Sequence, residues 1–325
     1  MNTPGASNSI CDVPGIRVGH AENHELVTGV SVILPEAPCV AAVDHRGGGI
    51  GARDTVLLGA GSAVPFVHGI CLSGGSAYGL DAAGGVLHGM RQDGVGFPVK
   101  SEIVPIVPQA ILFDLIAGGP KRWEHPPWWA LGLAAYRATT FETSLGNVGA
   151  GLGATAGRLK GGFGTASSVD EGFTVGAVAA ANSVGDVVFP GTKTFRGWML
   201  ERSGELGGQL PPPNRSVETP IADATAGANT TLAVVATDAA LTRDQAYRVA
   251  IMAQDGLALT TWPVHSPMDG DTVFVLSTGK HTIGDEAATL TRIGTMAAEC
   301  VGRAIMRGVY EAEPLAGYPS YRELL

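Results

Sequence analysis

Gly227-Ala228-Asn229-Thr230-Thr231-Leu232-Ala233-Val234-Val235 is a small-residue loop that runs directly into an apolar strand, with hydroxyl residues at the junction. An ordinary loop-to-strand transition accounts for this pattern. It also permits a specific chemistry. A threonine hydroxyl placed there can attack the carbonyl of the residue before it, form an ester and let water cut the chain. The threonine is then left with a free α-amine of reference pKa ~7.7–8.0, a suitable base for its own hydroxyl near neutral pH.

Outward from this junction the pattern predicts a strand over 230–237 and then a helix over 242–259. That helix is opened by Thr242 with Gln245 three residues on, the spacing of a capping box. A strand over 272–278 and a last helix, capped at Asp285 and running to about Tyr310, complete the C-terminal third. Upstream, strands are expected over 28–34, 39–44, 67–73, 173–182 and 184–189. Ser73 is expected to cap a helix over 75–90 whose alanines and glycines allow close packing, and another helix is expected over 130–139. The stretch 118–129, GGPKRWEHPPWW, reads as an exposed loop or lid. Residues 190–225, with the tract Pro211-Pro212-Pro213, read as a connector and the best candidate for a mobile segment. Strands and helices interleave without strict βαβ alternation, which favours α+β layers in one domain, 1–325.

Composition narrows the partners. Of 325 residues, 45% are hydrophobic and 16% charged, so a sizeable core is available and the surface is unusually uncharged, as in chains covered by copies of themselves. A net charge of −9 offers no basic stripe for nucleic acid or an anionic membrane. The 47 glycines are about twice the usual share of ~7% and fall in clusters among apolar residues, a sign of tight turns and close backbone approach. Cys11, Cys39, Cys71 and Cys300 have no paired spacing, and no secretory or membrane-spanning segment stands out. Reduced, buried thiols and a cytoplasmic location are expected.

Other motifs read as packing. Gly149-Ala150-Gly151-Leu152-Gly153 lacks the rest of a dinucleotide fingerprint, and Gly74-Gly75-Ser76-Ala77-Tyr78 misses the nucleophile elbow at its last position. His20 and His24 have no third ligand, so no metal and no cofactor are expected. Asp269-Gly270-Asp271, just before a strand, reads either as a hairpin turn or as two carboxylates able to orient an amine or hydroxyl.

Across nearly its whole length the chain resembles the L-aminopeptidase D-Ala-esterase/amidase family, which includes β-peptide aminopeptidases and nylon-oligomer hydrolases. The likeness is carried by Asp12-Val13-Pro14-Gly15, Cys71-Leu72-Ser73-Gly74-Gly75-Ser76, Gly146-Asn147-Val148-Gly149, Lys160-Gly161-Gly162-Phe163, Asn229-Thr230-Thr231 and Asp269-Gly270-Asp271, in that order. It implies a four-layer αββα sandwich resembling N-terminal-nucleophile hydrolases. It also implies self-cleavage between Asn229 and Thr230 into chains 1–229 and 230–325 that stay together, as a tetramer of cleaved protomers. By position, Thr230 matches the nucleophile and Asn182 an oxyanion-holding amide. Lys160 matches a basic site residue, with Arg158 as the competing alignment, and Asp269 and Asp271 match the acidic positions. Phe113 and Tyr78 are candidates for substrate contact. The substrate class implied is short peptides, amino-acid amides or esters, or ω-amino-acid oligomers. An acyltransferase of the ornithine-acetyltransferase type and a relative that folds without cleaving are the alternatives. Thr230 stands where many relatives have serine, and 110–114, Ala-Ile-Leu-Phe-Asp, departs from the pocket residues of several members.

Overall fold

The computed structural model describes residues 2–212, 229–284 and 286–324. Two five-stranded sheets form its centre. The first has the order β1 (Ile16–Asn23), β2 (Thr28–Pro35), β5 (Ile70–Ser73), β8 (Gln109–Ile111), β4 (Ala52–Arg53). The second has the order β11 (Gly162–Asp170), β12 (Phe173–Ala181), β13 (Leu232–Ala240), β14 (Thr272–Thr282), β3 (Val40–His45). Two short hairpins stand apart, β6 (Phe97–Val99) with β7 (Glu102–Val104), and β9 (Thr155–Ala156) with β10 (Leu159–Lys160).

Side-chain alternation makes four layers of these sheets. Leu232, Val234 and Ala236 face the first sheet, where they join Ile33, Ile70 and Leu72 in a buried core. Their neighbours Ala233 and Val235 face the opposite way, onto α3 (Arg243–Thr260) and α4 (Glu286–Tyr310). The first sheet turns Val30, Val32 and Cys71 toward α1 (Ala82–Gln92) and α2 (Trp128–Arg137). Strands buried on both faces carry no polar alternation, which is why 232–236 reads as an unbroken apolar run. The architecture is the expected αββα sandwich.

Several elements differ from expectation for identifiable reasons. β11 runs through Gly162 and Gly164, residues that weaken strand propensity. The strand forms because α4 lies directly on it: a Cβ on Gly164 would sit 2.0 Å from the Ala304 carbonyl oxygen, and one on Gly162 would sit 2.2 Å from that of Gly308. β1 escaped notice similarly, with Gly19 against the backbone of α2. Ser73 does not cap a helix; it ends β5, and its hydroxyl donates to the Gly79 carbonyl at 2.9 Å. Residues 76–81 form a 3-10 turn before α1, and α1 and α2 cross where Gly85 meets the backbone of Trp129. Trp128 is fully buried and begins α2, so 118–129 is not wholly an exposed lid. Among the described residues, 184–189 make only isolated bridges, Asp186 to Trp262 and Val188 to Phe195. The connector through 212 is tied down: the Glu201 carboxylate accepts from the backbone of Leu206, Gly208 and Gln209, and Phe195 stacks on Tyr321 at 4.4 Å. Pro213 to Thr225, Gly227, Ala228 and the expected cap Asp285 lie outside the described residues. The capping box of α3 forms as expected between Thr242 and Gln245.

All four cysteines are free, three of them buried. Among the described residues no helix is long and apolar enough to cross a membrane.

The glycine contact between β11 and α4 yields a direct test. Gly164→Ala forces a methyl into the Ala304 carbonyl, and overpacking of this kind costs about 1–3 kcal/mol. Urea denaturation should show the unfolding free energy falling by that amount, with an unchanged slope and a correspondingly lower midpoint.

Candidate active site

Three strand ends meet beneath the first sheet. β13 and β14 are parallel, with Leu232 opposite Thr272 and Val234 opposite Phe274. Their N-terminal ends therefore lie side by side, which brings Asn229 and Thr230 against Gly270. β12 runs antiparallel to β13 with Ala180 opposite Leu232, so the next residues of each chain, Asn182 and Thr230, also face each other. The Thr230 amide donates to the Asn182 main-chain carbonyl at 2.5 Å.

The Asn229 carbonyl is the centre of the geometry. It accepts from the Thr230 hydroxyl at 2.5 Å and from the Gly270 amide at 3.2 Å. Gly270 admits no side chain here, since a Cβ would lie 2.6 Å from both Thr230 Oγ1 and the Gly49 carbonyl oxygen. Thr230 itself is 2% exposed.

Asp269 and Asp271 flank this glycine with their acceptors engaged. Asp271 Oδ1 accepts from the Thr231 amide at 2.9 Å, and its Oδ2 from the His265 amide at 3.1 Å and His265 Nδ1 at 2.8 Å. Asp269 Oδ1 accepts from the Val184 amide at 3.0 Å, and Oδ2 from the Ser266 hydroxyl at 2.5 Å. Burial, and secondarily the charge of Asp271, raise the Asp269 pKa. The pair is not a hairpin turn, because the antiparallel partner of β14 is β3, far earlier in the chain, and the element before β14 is helix α3.

Asn182 braces the same place. Its Oδ1 accepts from the Thr155 amide at 2.9 Å, and its Nδ2 donates to the Phe113 carbonyl at 3.1 Å. Lys160 is buried and directed at loop carbonyls: Nζ donates to Gly151 at 3.0 Å, Ala154 at 2.8 Å and Gly161 at 2.7 Å. It thereby fixes the loop that carries Thr155, and through it Asn182. Burial pulls the Lys160 pKa down to about 7, opposed by the charge of Asp114. Arg158 is the exposed alternative, paired with Asp186 at 2.9 Å. Lys160 is thus the buried basic residue of the two.

A pocket of about 360 Å³ opens beside Thr230. Its walls come from residues 49–52 before and in β4, from Ser76, Ala77 and Leu80 after β5, and from Ile111 and Phe113 at the end of β8. Ser76 holds a left-handed backbone, φ 51°, a strained conformation of the kind that concentrates at functional sites. Phe113, one of the two candidates for substrate contact, lines the pocket. Tyr78 is not among its walls; it is half exposed, edge-on to Trp123 at 5.4 Å and stacked near Trp128 at 6.4 Å.

Sequence reasoning missed the Gly270 amide, His265 and the loop 46–51. The glycine run Gly47-Gly48-Gly49 marked that loop. Its amides grip the segment 266–271, Gly49 donating to the Asp269 carbonyl at 2.7 Å and Arg46 to that of Asp271 at 3.0 Å. His265 stands only six residues before Asp271, but neither periodicity nor a motif marks the loop that folds it back onto that carboxylate.

Comparison with known proteins agrees with this architecture. The solved β-aminopeptidase of a Burkholderia species superposes with a TM-score of 0.73 at 22% identity, over all of this chain (100%) and 93% of that one. The L-aminopeptidase D-Ala-esterase/amidase of Ochrobactrum anthropi, described as a prototype for the serine aminopeptidases and a new variant of the Ntn hydrolase fold, gives 0.73 at 22% identity over 97% and 89%. The fold is therefore that of the N-terminal-nucleophile hydrolases, in this variant form. Residues 8–322 match Peptidase family S58, and the chain belongs to that family. It is 42% identical to a Mycobacterium tuberculosis protein described as an uncharacterized aminopeptidase, over 98% of each chain. It is 28% identical to the 6-aminohexanoate-oligomer endohydrolase of Paenarthrobacter ureafaciens, over 91% of this chain and 84% of that one.

The buried lysine predicts a pH signature. The unfolded chain keeps this proton up to about 10.5 and the folded chain releases it near 7. The unfolded state thus binds more protons across that window, so this group's contribution to stability rises with pH through it. Urea midpoints of wild type and Lys160→Met, followed from pH 7 upward, should show the wild type gaining on the variant. A constant difference would mean that Lys160 keeps its proton.

Proposed function

We propose that the chain cuts itself between Asn229 and Thr230, and that Thr230 then serves as the N-terminal nucleophile of a hydrolase of small amides and esters. The observation that carries this reading is the Asn229 carbonyl, gripped by the Thr230 hydroxyl on one side and the Gly270 amide on the other. In the first step Thr230 Oγ1 adds to that carbonyl carbon, and the oxyanion is held by the Gly270 N–H. The Thr230 nitrogen leaves as an amine, taking the hydroxyl proton, and Asn229 is left esterified to Oγ1. Water then hydrolyses the ester, which separates 1–229 from 230–325 within a single catalytic domain.

In the mature enzyme the Thr230 amine, kept close to the Asn182 carbonyl, takes the hydroxyl proton as Oγ1 attacks the substrate carbonyl. The same amine returns the proton to the leaving group, and water releases the acyl group from Oγ1. Asn182 Nδ2 has a second N–H beyond the one given to Phe113, available to the oxyanion beside that of Gly270. Asp271 positions Thr231, and Asp269 positions the strand end at Val184. Lys160 positions the loop behind Asn182 rather than touching the reacting atoms. No metal or cofactor takes part in these steps.

Short peptides, amino-acid amides and esters, and ω-amino-acid oligomers are the substrate classes proposed. Hydrolysis is favoured over transfer to an amine because the similar proteins are named as aminopeptidases and endohydrolases. The low surface charge supports a homotetramer, and the free, buried thiols support a cytoplasmic setting.

Mass spectrometry of the purified protein tests the first step and should find a small fragment that begins at Thr230. Thr230→Ala should give an intact, folded chain without activity. Thr230→Ser should retain cleavage and some turnover, slowed because the methyl that restricts χ1 is gone. Gly270→Ala should slow cleavage by about 10²–10³, the loss typical of one oxyanion donor, because a methyl there displaces the amide from the Asn229 carbonyl. Light scattering should report a tetramer.

A further inference from the structure

Self-cleavage would change what holds Thr230. In the uncut chain the residue is fixed on its N-terminal side by the peptide bond to Asn229 and by the amide it donates to the Asn182 carbonyl. Cutting turns that amide into a free amine. It can still donate to Asn182, but no covalent bond keeps it there. The C-terminal side then carries the positioning. The peptide unit that joins Thr230 to Thr231 is planar and stiff, and the Cα, amine and hydroxyl of Thr230 project from it. Asp271 holds that unit: the Thr231 amide donates to Oδ1 at 2.9 Å.

Asp271 is held in turn by one residue. Its Oδ2 accepts from the His265 amide at 3.1 Å and from Nδ1 of the same residue at 2.8 Å, and the carboxylate is buried. An ionised carboxylate only accepts, so Nδ1 carries the proton in this pair. His265 makes the double contact from a left-handed backbone, φ 53°, a conformation that persists where the surroundings impose it. Here the Gly48 amide grips the next carbonyl, that of Ser266, at 3.2 Å. Nε2 bonds to no described residue, and the ring is not among the pocket walls. Among the described residues its one polar contact is the strut behind the Thr231 amide.

We propose that His265 is a positioning residue of the mature enzyme: through Asp271 it fixes the Thr230–Thr231 peptide unit and so aims the freed amine and hydroxyl at the substrate carbonyl. The inference deepens the reading of Thr230 as nucleophile and rests on it. The strut matters less before cleavage, when the chain itself holds the nitrogen. It acts on kcat and little on KM, because the ring does not touch the pocket.

The test uses the purified full chain and three variants that all accept a left-handed backbone. His265→Gly removes the ring without strain, and His265→Asp offers no N–H from its side chain. His265→Asn keeps an N–H near the position of Nδ1. Self-cleavage is followed by mass spectrometry, and turnover on a panel of aminoacyl amides and p-nitroanilides, well below the melting temperature of each variant. The glycine and aspartate variants should cut themselves to completion and keep KM within about twofold, while kcat falls by about tenfold or more, the scale of a small misplacement of reacting groups. His265→Asn should recover most of that loss. Wild-type kcat in either variant without the N–H, or an asparagine variant as slow as they are, overturns the proposal and leaves Thr230 as nucleophile. Self-cleavage slowed as much as kcat does the same. A wild-type chain that neither cuts itself nor hydrolyses any member of the panel overturns the nucleophile reading and this proposal with it.

Discussion

The main-chain register at one end of the second sheet carries everything else. Parallel pairing of β13 with β14 sets Thr230 beside Gly270, and antiparallel pairing of β13 with β12 sets Thr230 beside Asn182. Ladder hydrogen bonds hold these relationships with little dependence on side chains. A slip of one residue would turn every side chain of β13 to the opposite face, exchanging Leu232 and Val234 with Ala233 and Val235. The two cores on either side of the sheet differ in depth and composition, so that slip is strongly disfavoured. Packing on both faces therefore fixes the position of a hydroxyl that lies just outside the strand.

Close approach is the second condition. The Thr230 hydroxyl, the Asn229 carbonyl and the Gly270 amide share a space where one added methyl would collide. The loop 46–51 reaches the segment 266–271 only because Gly47 and Gly48 bring backbone against backbone. Glycine in these places gives up strand and loop stability in exchange for amide groups aimed at one carbonyl. The same exchange recurs between β11 and α4, where it supports the layer beneath the site.

Charge is arranged with equal economy. Asp269 and Asp271 are used to hold backbone amides, Ser266 and His265, so they act as struts. Lys160 is used to hold the carbonyls of Gly151, Ala154 and Gly161. The result is a polar frame around Thr230 and a largely apolar chamber beside it.

The sequence by itself determined the α+β layer class, the capped helix α3 and the strand after Thr230. These are local: apolar runs, a Thr–Gln cap and small-residue turns act over a few residues. Resemblance carried Asn182 and Lys160 to the site, and the structure adds that the Asn182 main-chain carbonyl accepts from the Thr230 amide and that Lys160 tethers loop carbonyls. Glycine obscured β1 and β11, because strand propensity argues against them and only the helices packed on them explain the choice. Tertiary structure alone decided that the Gly270 amide meets the Asn229 carbonyl, and that Tyr78 stacks with tryptophans while Phe113 lines the pocket. The physical reason is common to all of these. They are contacts between segments far apart in the chain, created by strand register and backbone proximity, and neither leaves a periodic mark on the residues that make them.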